Sequence, residues 1–240
     1  MKHSLRLVML WTLLLTACSR AASAPSKTSP VPENLPTLAP GVPFPLALST
    51  TWIYEMNAHT NGQSALWRIT QTIQEVGGQA GILTAKVSQQ VTLLSAPGSE
   101  SGQFFSPQNT SFWYILNDNT LFRSETAPDL NNGASGSREI VWPPESVTCW
   151  CVNSSSDGCL ELEGEIGSGC RYQAEILPLT HTPAGDFSDC RDLRRGYNNG
   201  GDQLLFCPNV GIVSETYQHL GDDFGYRMTL IGYSLPSPER

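Results

Sequence analysis

The sequence predicts a mainly β protein, a single domain built on an antiparallel, strongly curved, half-barrel-like sheet with few or no helices, a β-sandwich being the alternative. Three observations carry that expectation. Apolar residues recur with a period of two in segment after segment, no segment carries a 3.6-residue apolar stripe, and Asn/Asp/Gly turn chemistry separates the alternating runs.

The chain opens with Lys2 and Arg6 ahead of an apolar run, Leu7 to Ala17. That run is far short of the ~20 residues a membrane-spanning helix needs, so residues 1–17 read as a secretory signal. Leu15-Thr16-Ala17-Cys18 looks like the lipobox of bacterial lipoproteins, in which the cysteine thiol receives a diacylglycerol and becomes the mature N-terminus. Cleavage at Ala22-Ser23-Ala24 is the alternative and would discard Cys18. Two or three acyl chains hold a protein stably on a membrane where one does not. The expected location is therefore the cell membrane or the outer membrane, lipid-anchored, with the domain on the extracytoplasmic side. Ser19 is not the Asp that retains many lipoproteins at the inner membrane, which leaves outer-membrane sorting open.

Seven cysteines leave one over in an exported chain; setting Cys18 aside leaves six, enough for three disulfides in an oxidising compartment. The formal charge is −8, and losing Lys2 and Arg6 with the signal makes the mature chain more acidic still. With no Lys/Arg cluster beyond Arg194-Arg195, nucleic acid and anionic lipid surfaces are excluded as partners, because both need a basic patch.

Residues 18–43 carry Pro25, Pro30, Pro32, Pro36, Pro40 and Pro43 among small polar residues, the composition of an extended tether. At ~3.1 Å per residue it would reach at most roughly 80 Å. The β domain then spans residues 44–235 and a short tail residues 236–240.

Within the domain, "TWIYEMNAH" places Trp52, Tyr54 and Met56 on one face. "WRITQTIQEV" places Trp67, Ile69 and Ile73 opposite Arg68, Thr70, Thr72 and Gln74, and "GILTAKVSQQVTLL" sets Leu83, Ala85, Val87, Val91 and Leu93 against polar neighbours. These are half-buried strands. "SFWYILNDNTLFR" reads as a hairpin turning at Asn117-Asp118-Asn119, and a later hairpin turns near Gly221-Asp222-Asp223 with Tyr226, Met228 and Leu230 on one face.

Asn198-Asn199-Gly200-Gly201 lies between two strand-like runs. With Asn198-Asn199 as the tip, Cys190 falls directly opposite Cys207, a separation a disulfide tolerates; with Asn199-Gly200 as the tip, Cys190 faces Asn209 instead. Cys149 and Cys151 point to the same side of an extended chain, so each needs a partner further on. Cys151 with Cys159 and Cys149 with Cys170 is the expected arrangement, with the crossed pairing left open. A four-thiolate zinc site is the alternative use, but the spacing is not that of a ribbon or finger, and no metal is expected.

The lipobox, the tether, the "FPLALSTTWIYEM" opening, the "AGDFSDC" turn and the closing "FCPNVGIVSETYQHLGDDFGYRMTLIGYSL" resemble a group of bacterial envelope lipoproteins. Those begin with an F-P-L-x-x-x-x-x-W-x-Y strand and end with a G-x-G-x-V-like hairpin; here Asn209 stands in place of the first glycine. Their sheets are similar in kind to the half-barrel of the LolA and LppX lipoprotein carriers. The resemblance covers most of residues 44–235 and implies a fold; it carries over no catalytic residue.

Chemistry-bearing motifs are few. His59, His181 and His219 form no H-E-x-x-H or H-x-H pattern, and no nucleophile elbow, P-loop or dinucleotide fingerprint occurs. Asp222-Asp223 and residues 129–133 have turn chemistry without the twelve-residue calcium loop, and Glu161, Glu163 and Glu165 read as one wet strand face. The expectation is a non-enzymatic protein without cofactor. Its apolar lining, Trp52, Tyr54, Trp67, Ile69, Val87 and Val91, would either enclose an apolar ligand or lipid or fill an ordinary core. The alternative function is a module that contacts another envelope protein or the cell wall and takes no small ligand.

Overall fold

The computed structural model describes residues 43–79, 81–96, 106–132, 135–143, 149–152, 161–162, 165–166, 169–197 and 199–236. The expected signal (residues 1–17), nearly all of the expected tether with Cys18, Cys159, Glu163 and most of the expected tail lie outside them.

Fourteen strands are described: β1 (Thr51–Thr60), β2 (Gln63–Gln79), β3 (Ile82–Ser95), β4 (Thr110–Asn117), β5 (Thr120–Ser124), β6 (Ser137–Val141), β7 (Cys149–Cys151), β8 (Glu161–Leu162), β9 (Glu165–Ile166), β10 (Cys170–Thr182), β11 (Gly185–Tyr197), β12 (Gly200–Cys207), β13 (Gly211–His219) and β14 (Phe224–Ser234). The only helical turn among the described residues is a 3-10 turn at Leu130–Asn132. Twelve strands make one antiparallel sheet in the order β6-β5-β4-β3-β2-β1-β14-β13-β12-β11-β10-β7, and β8 pairs with β9. The curved sheet comes close to closing on itself. At the seam between its edge strands, Arg138 N–H donates to the Val152 carbonyl at 2.7 Å. One continuous sheet replaces the two-layer sandwich alternative.

Alternation places the layers. On β1, Trp52, Tyr54, Met56 and Ala58 are buried, and on β2 Ala65, Ile69, Gln71 and Ile73 are. The outer face carries cross-strand ion pairs, Glu55 with Arg68 at 3.1 Å and Glu75 with Lys86 at 2.7 Å, consistent with a wet surface. The β11–β12 register runs from Arg191 opposite Phe206 to Tyr197 opposite Gly200, leaving the two residues 198 and 199 between the strands. Cys190 and Cys207 follow in that register and are joined by a disulfide.

The second disulfide differs from the expected pairing. Cys151 joins Cys170, not Cys159, because β7 pairs with β10 in a register that sets Cys170 directly opposite Cys151. Cys149 instead faces Tyr172; it is disulfide-bonded, but not to Cys170. The Cys151–Cys170 disulfide therefore ties the edge strand β7 to its neighbour β10.

One end of the curved sheet is filled by the chain that enters it. Phe44 packs on Trp52, Tyr114 and Phe206 with ring centroids 5.5, 4.9 and 6.2 Å away. Asn209 N–H donates to the Pro43 carbonyl at 2.7 Å, tying this segment to the β12–β13 turn. Two special backbone conformations make that turn: Asn209 at φ 62° and Gly211 at φ 104°. Asn is among the few side chains that accept the left-handed region, which explains its presence where a glycine is otherwise expected. At Gly211 a Cβ would lie 2.8 Å from Phe44 Cε2, so the residue must be small as well as left-handed. Trp52 Nε1 donates to the Val210 carbonyl at 2.7 Å and the Tyr54 hydroxyl to the Ile212 carbonyl at 3.0 Å, so two buried aromatics of β1 also satisfy this turn.

Candidate functional site

Beside this packed end the interior is hollow. A cavity of about 380 Å³ is walled by Tyr54, Met56, Ile69, Gln71, Tyr114, Ile212, Glu215, Tyr226 and Met228, and its lip is formed by Gln89, Ser106, Pro107, Gln108, Thr110, Arg123 and Glu125. Five strands supply the wall: β1, β2, β4, β13 and β14.

Register explains how these side chains converge. Glu215 on β13 stands opposite Leu204 on β12 and Met228 on β14, and Met228 stands opposite Met56 on β1. A carboxylate thus interrupts an otherwise apolar cross-strand row. Its neighbour in the next row, Tyr226, donates its hydroxyl to Glu215 Oε1 at 2.6 Å. Burial pushes the Glu215 carboxyl above its ordinary range, opposed by the Tyr226 hydrogen bond and by Arg171. Burial likewise raises Tyr54, Tyr114 and Tyr226, so all three phenols stay protonated and act as hydroxyls. At the lip, Gln71 Nε2 donates to Gln89 Oε1 at 2.9 Å, and Gln89 Nε2 to the Gln108 carbonyl at 3.0 Å. The Arg123 guanidinium lies 4.1 Å from the centre of the Phe112 ring and 3.9 Å from Glu125.

A second, wider hollow of about 650 Å³ adjoins the first through Arg123 and Glu125 and reaches the seam at Glu139, Val152, Arg195 and Tyr197. Behind it sits a buried ion network. Arg171 and Arg195 stand opposite each other on β10 and β11, a repulsive pairing, and Asp202 on β12 bridges them. Arg171 Nη2 donates to Asp202 Oδ1 at 3.1 Å, while Arg195 Nε and the Tyr197 hydroxyl donate to Oδ2, each at 2.7 Å. The side chains of Arg171 and Asp202 are only 3% and 5% exposed.

Of the residues anticipated as lining, Tyr54 and Ile69 stand in the cavity wall. Trp52 and Val87 are fully buried in the filled core, and Trp67 and Val91 pack half-buried against it. Sequence reasoning did not single out Glu215, Gln71 or Arg123. Gln71 carried a signal, since it shares the buried face with Ile69 and Ile73. His59 and His219 sit at the turn end of the sheet beside Asp223 and Asp222, at 3.8 and 3.3 Å, and His181 pairs with Asp186 at 2.7 Å on the surface. None of the three lines the cavity. No group of three or more metal-ligating side chains occurs among the described residues.

No family model and no curated protein matches the chain. Among solved structures it is similar to a "putative lipoprotein" from Parabacteroides distasonis ATCC 8503, with a TM-score of 0.48 at 12% identity over 81% of this chain and 99% of that one. It is also similar to a "putative exported protein with YmcC-like fold" from Bacteroides fragilis NCTC 9343, with a TM-score of 0.47 at 9% identity over the same shares of the two chains.

Proposed function

We propose that this protein is a lipid-anchored extracytoplasmic binding protein that holds a small amphipathic ligand inside its curved sheet and performs no chemistry on it. The observation that carries the reading is the cavity of about 380 Å³, in which apolar Met56, Ile69, Ile212 and Met228 share one wall with the polar Glu215–Tyr226 and Gln71–Gln89 pairs. That volume falls in the ~300–1,000 Å³ range of small-molecule sites, and apolar surface set beside convergent polar groups is how such sites fix an amphipathic ligand's orientation. Anchoring at Cys18 follows from the lipobox, and the disulfides Cys151–Cys170 and Cys190–Cys207 favour an oxidising compartment. A carrier of the LolA and LppX kind is the working comparison.

One feature favours a second reading, a protein-contact module. The β10–β11 hairpin extends beyond its pairing with β12 and exposes Ile176 and Leu179, at 42% and 53%.

Intact and denaturing mass spectra of the full-length protein from its native membrane, beside Cys18→Ala, separate these readings. A diacylated N-terminus at Cys18 with a dissociable small molecule is the expected result. An acylated protein that carries no load and takes up no amphiphile favours the contact module. An unmodified N-terminus after Ala24 removes the anchor.

A further inference from the structure

Resting on the binding reading above, we infer that the cavity selects an amphiphile whose polar end is a protonated amine, and that Glu215 is the residue that selects it. Among the described residues three charged side chains line the cavity: Arg123, Glu125 and Glu215. Arg123 and Glu125 sit together at the lip, 3.9 Å apart and partly exposed, so the rim is balanced and screened. Glu215 lies deeper, in the row of Leu204, Met228 and Met56. Its Oε1 accepts from Tyr226, and its Oε2 takes no hydrogen bond from the described residues. The buried guanidinium that acts on Glu215, Arg171, is committed to Asp202 and Glu139, and those two carboxylates add their own repulsion at Glu215.

Among the described residues the inner cavity therefore offers one carboxylate oxygen without a donor, next to thioether and aliphatic surface. An ammonium group supplies what that oxygen lacks, an N–H donor and a positive charge, while a hydrocarbon chain covers Met56, Ile69 and Met228. Charge-assisted hydrogen bonds are the strong class in such surroundings. A carboxylate-headed amphiphile of the same length would bring a second negative charge to Glu215, and an alcohol would donate without neutralising it. The preferred order is amine, then alcohol, then carboxylate.

The test uses the full-length protein in phosphatidylcholine nanodiscs, with empty discs as the blank, titrated calorimetrically with hexylamine, hexanol and hexanoate near neutral pH. Hexylamine is expected to bind roughly ten- to a hundredfold tighter than hexanoate, the range of one charge-assisted hydrogen bond. Glu215→Gln should bring the two within about threefold while hexanol is held about as before. Binding of all three compounds with hexanoate equal to or tighter than hexylamine overturns the inference but leaves the binding reading standing. Binding of none of them to a folded, disulfide-intact protein overturns both. Adding phosphatidylethanolamine to the discs identifies the source: loss of hexylamine binding assigns the amine to a lipid headgroup, and unchanged binding assigns it to a soluble amine.

Discussion

Arg171 on β10 meets Glu139 on β6 across the seam of the sheet, its Nη1 donating to the Glu139 carbonyl at 3.3 Å and lying 3.7 Å from the carboxylate. The same side chain holds Asp202, so one guanidinium joins the sheet's two edge regions and serves one buried and one half-buried acid. Arg171→Leu leaves Glu139 without this partner and Asp202 Oδ1 without its guanidinium, with Arg195 and Tyr197 still on Oδ2. A loss of roughly 3–5 kcal/mol in urea unfolding is expected, the usual cost of breaking a buried pair from one side. Arg171→Lys should recover only part of it, because a point charge cannot reach both edges as a planar fork does. An unchanged unfolding midpoint for the leucine variant would show that the seam is held elsewhere.

Glu215 gives stability a readable pH dependence. Its folded carboxyl holds a proton to higher pH than the unfolded one, so the native state binds more protons from the ordinary carboxylate range up to the raised value. Stability contributed at this residue therefore falls as pH rises through that window. Glu215→Gln should match the wild type most closely near about pH 4 and exceed it in stability near about pH 7.5. Parallel stability curves for the two proteins would contradict the burial of this carboxylate.

The disulfide framework makes a direct chemical prediction. Peptide mapping without reduction should recover a Cys151–Cys170 peptide and a Cys190–Cys207 peptide. Replacing Cys190 and Cys207 together by Ser should cost about 2–4 kcal/mol, as expected for a cross-link that closes a loop of this size. A Cys149–Cys170 peptide would refute the β7–β10 register.

The entering segment should behave as core. Phe44→Ala opens a void among Trp52, Tyr114 and Phe206, and a loss of roughly 3–5 kcal/mol is expected by thermal or urea unfolding. Gly211→Ala should also destabilise, through both its φ of 104° and the Phe44 ring, and Gly211→Ala combined with Phe44→Leu should lose less than the sum. Additive losses would mean that Gly211 and Phe44 do not press on each other.

Much of the frame was legible because strands alternate. Trp52, Tyr54 and Met56 share a face, as do Tyr226, Met228 and Leu230, and an Asn198-Asn199 tip sufficed to set Cys190 against Cys207. Glu215 was not legible, and the reason is local. Leu205 faces Ser214 while Phe206 faces Ile212, so Val213 is an extra residue that reverses the parity of β13. Strict alternation from Ile212 would send Glu215 outward. The Arg171–Asp202 pair was hidden for another reason: it exists only once β10, β11 and β12 are laid side by side, and the two registers between them cannot be read from one strand.

The placement of β14 sets the order in which the protein can be completed. The last strand of the chain is not an edge strand; it lies between β1 and β13, where the two halves of the large sheet join. A nascent chain that has not yet delivered residues 224–234 can form β1–β6 and the β10–β13 hairpins, but leaves β1 and β13 with open edges where β14 belongs. Closure of the sheet must wait for β14, and its pairing with β1, so distant in sequence, is of the slow, non-local kind. A chain cut short before Phe224 would then present two unpaired strand edges at once, the condition under which β-proteins associate with one another instead of folding.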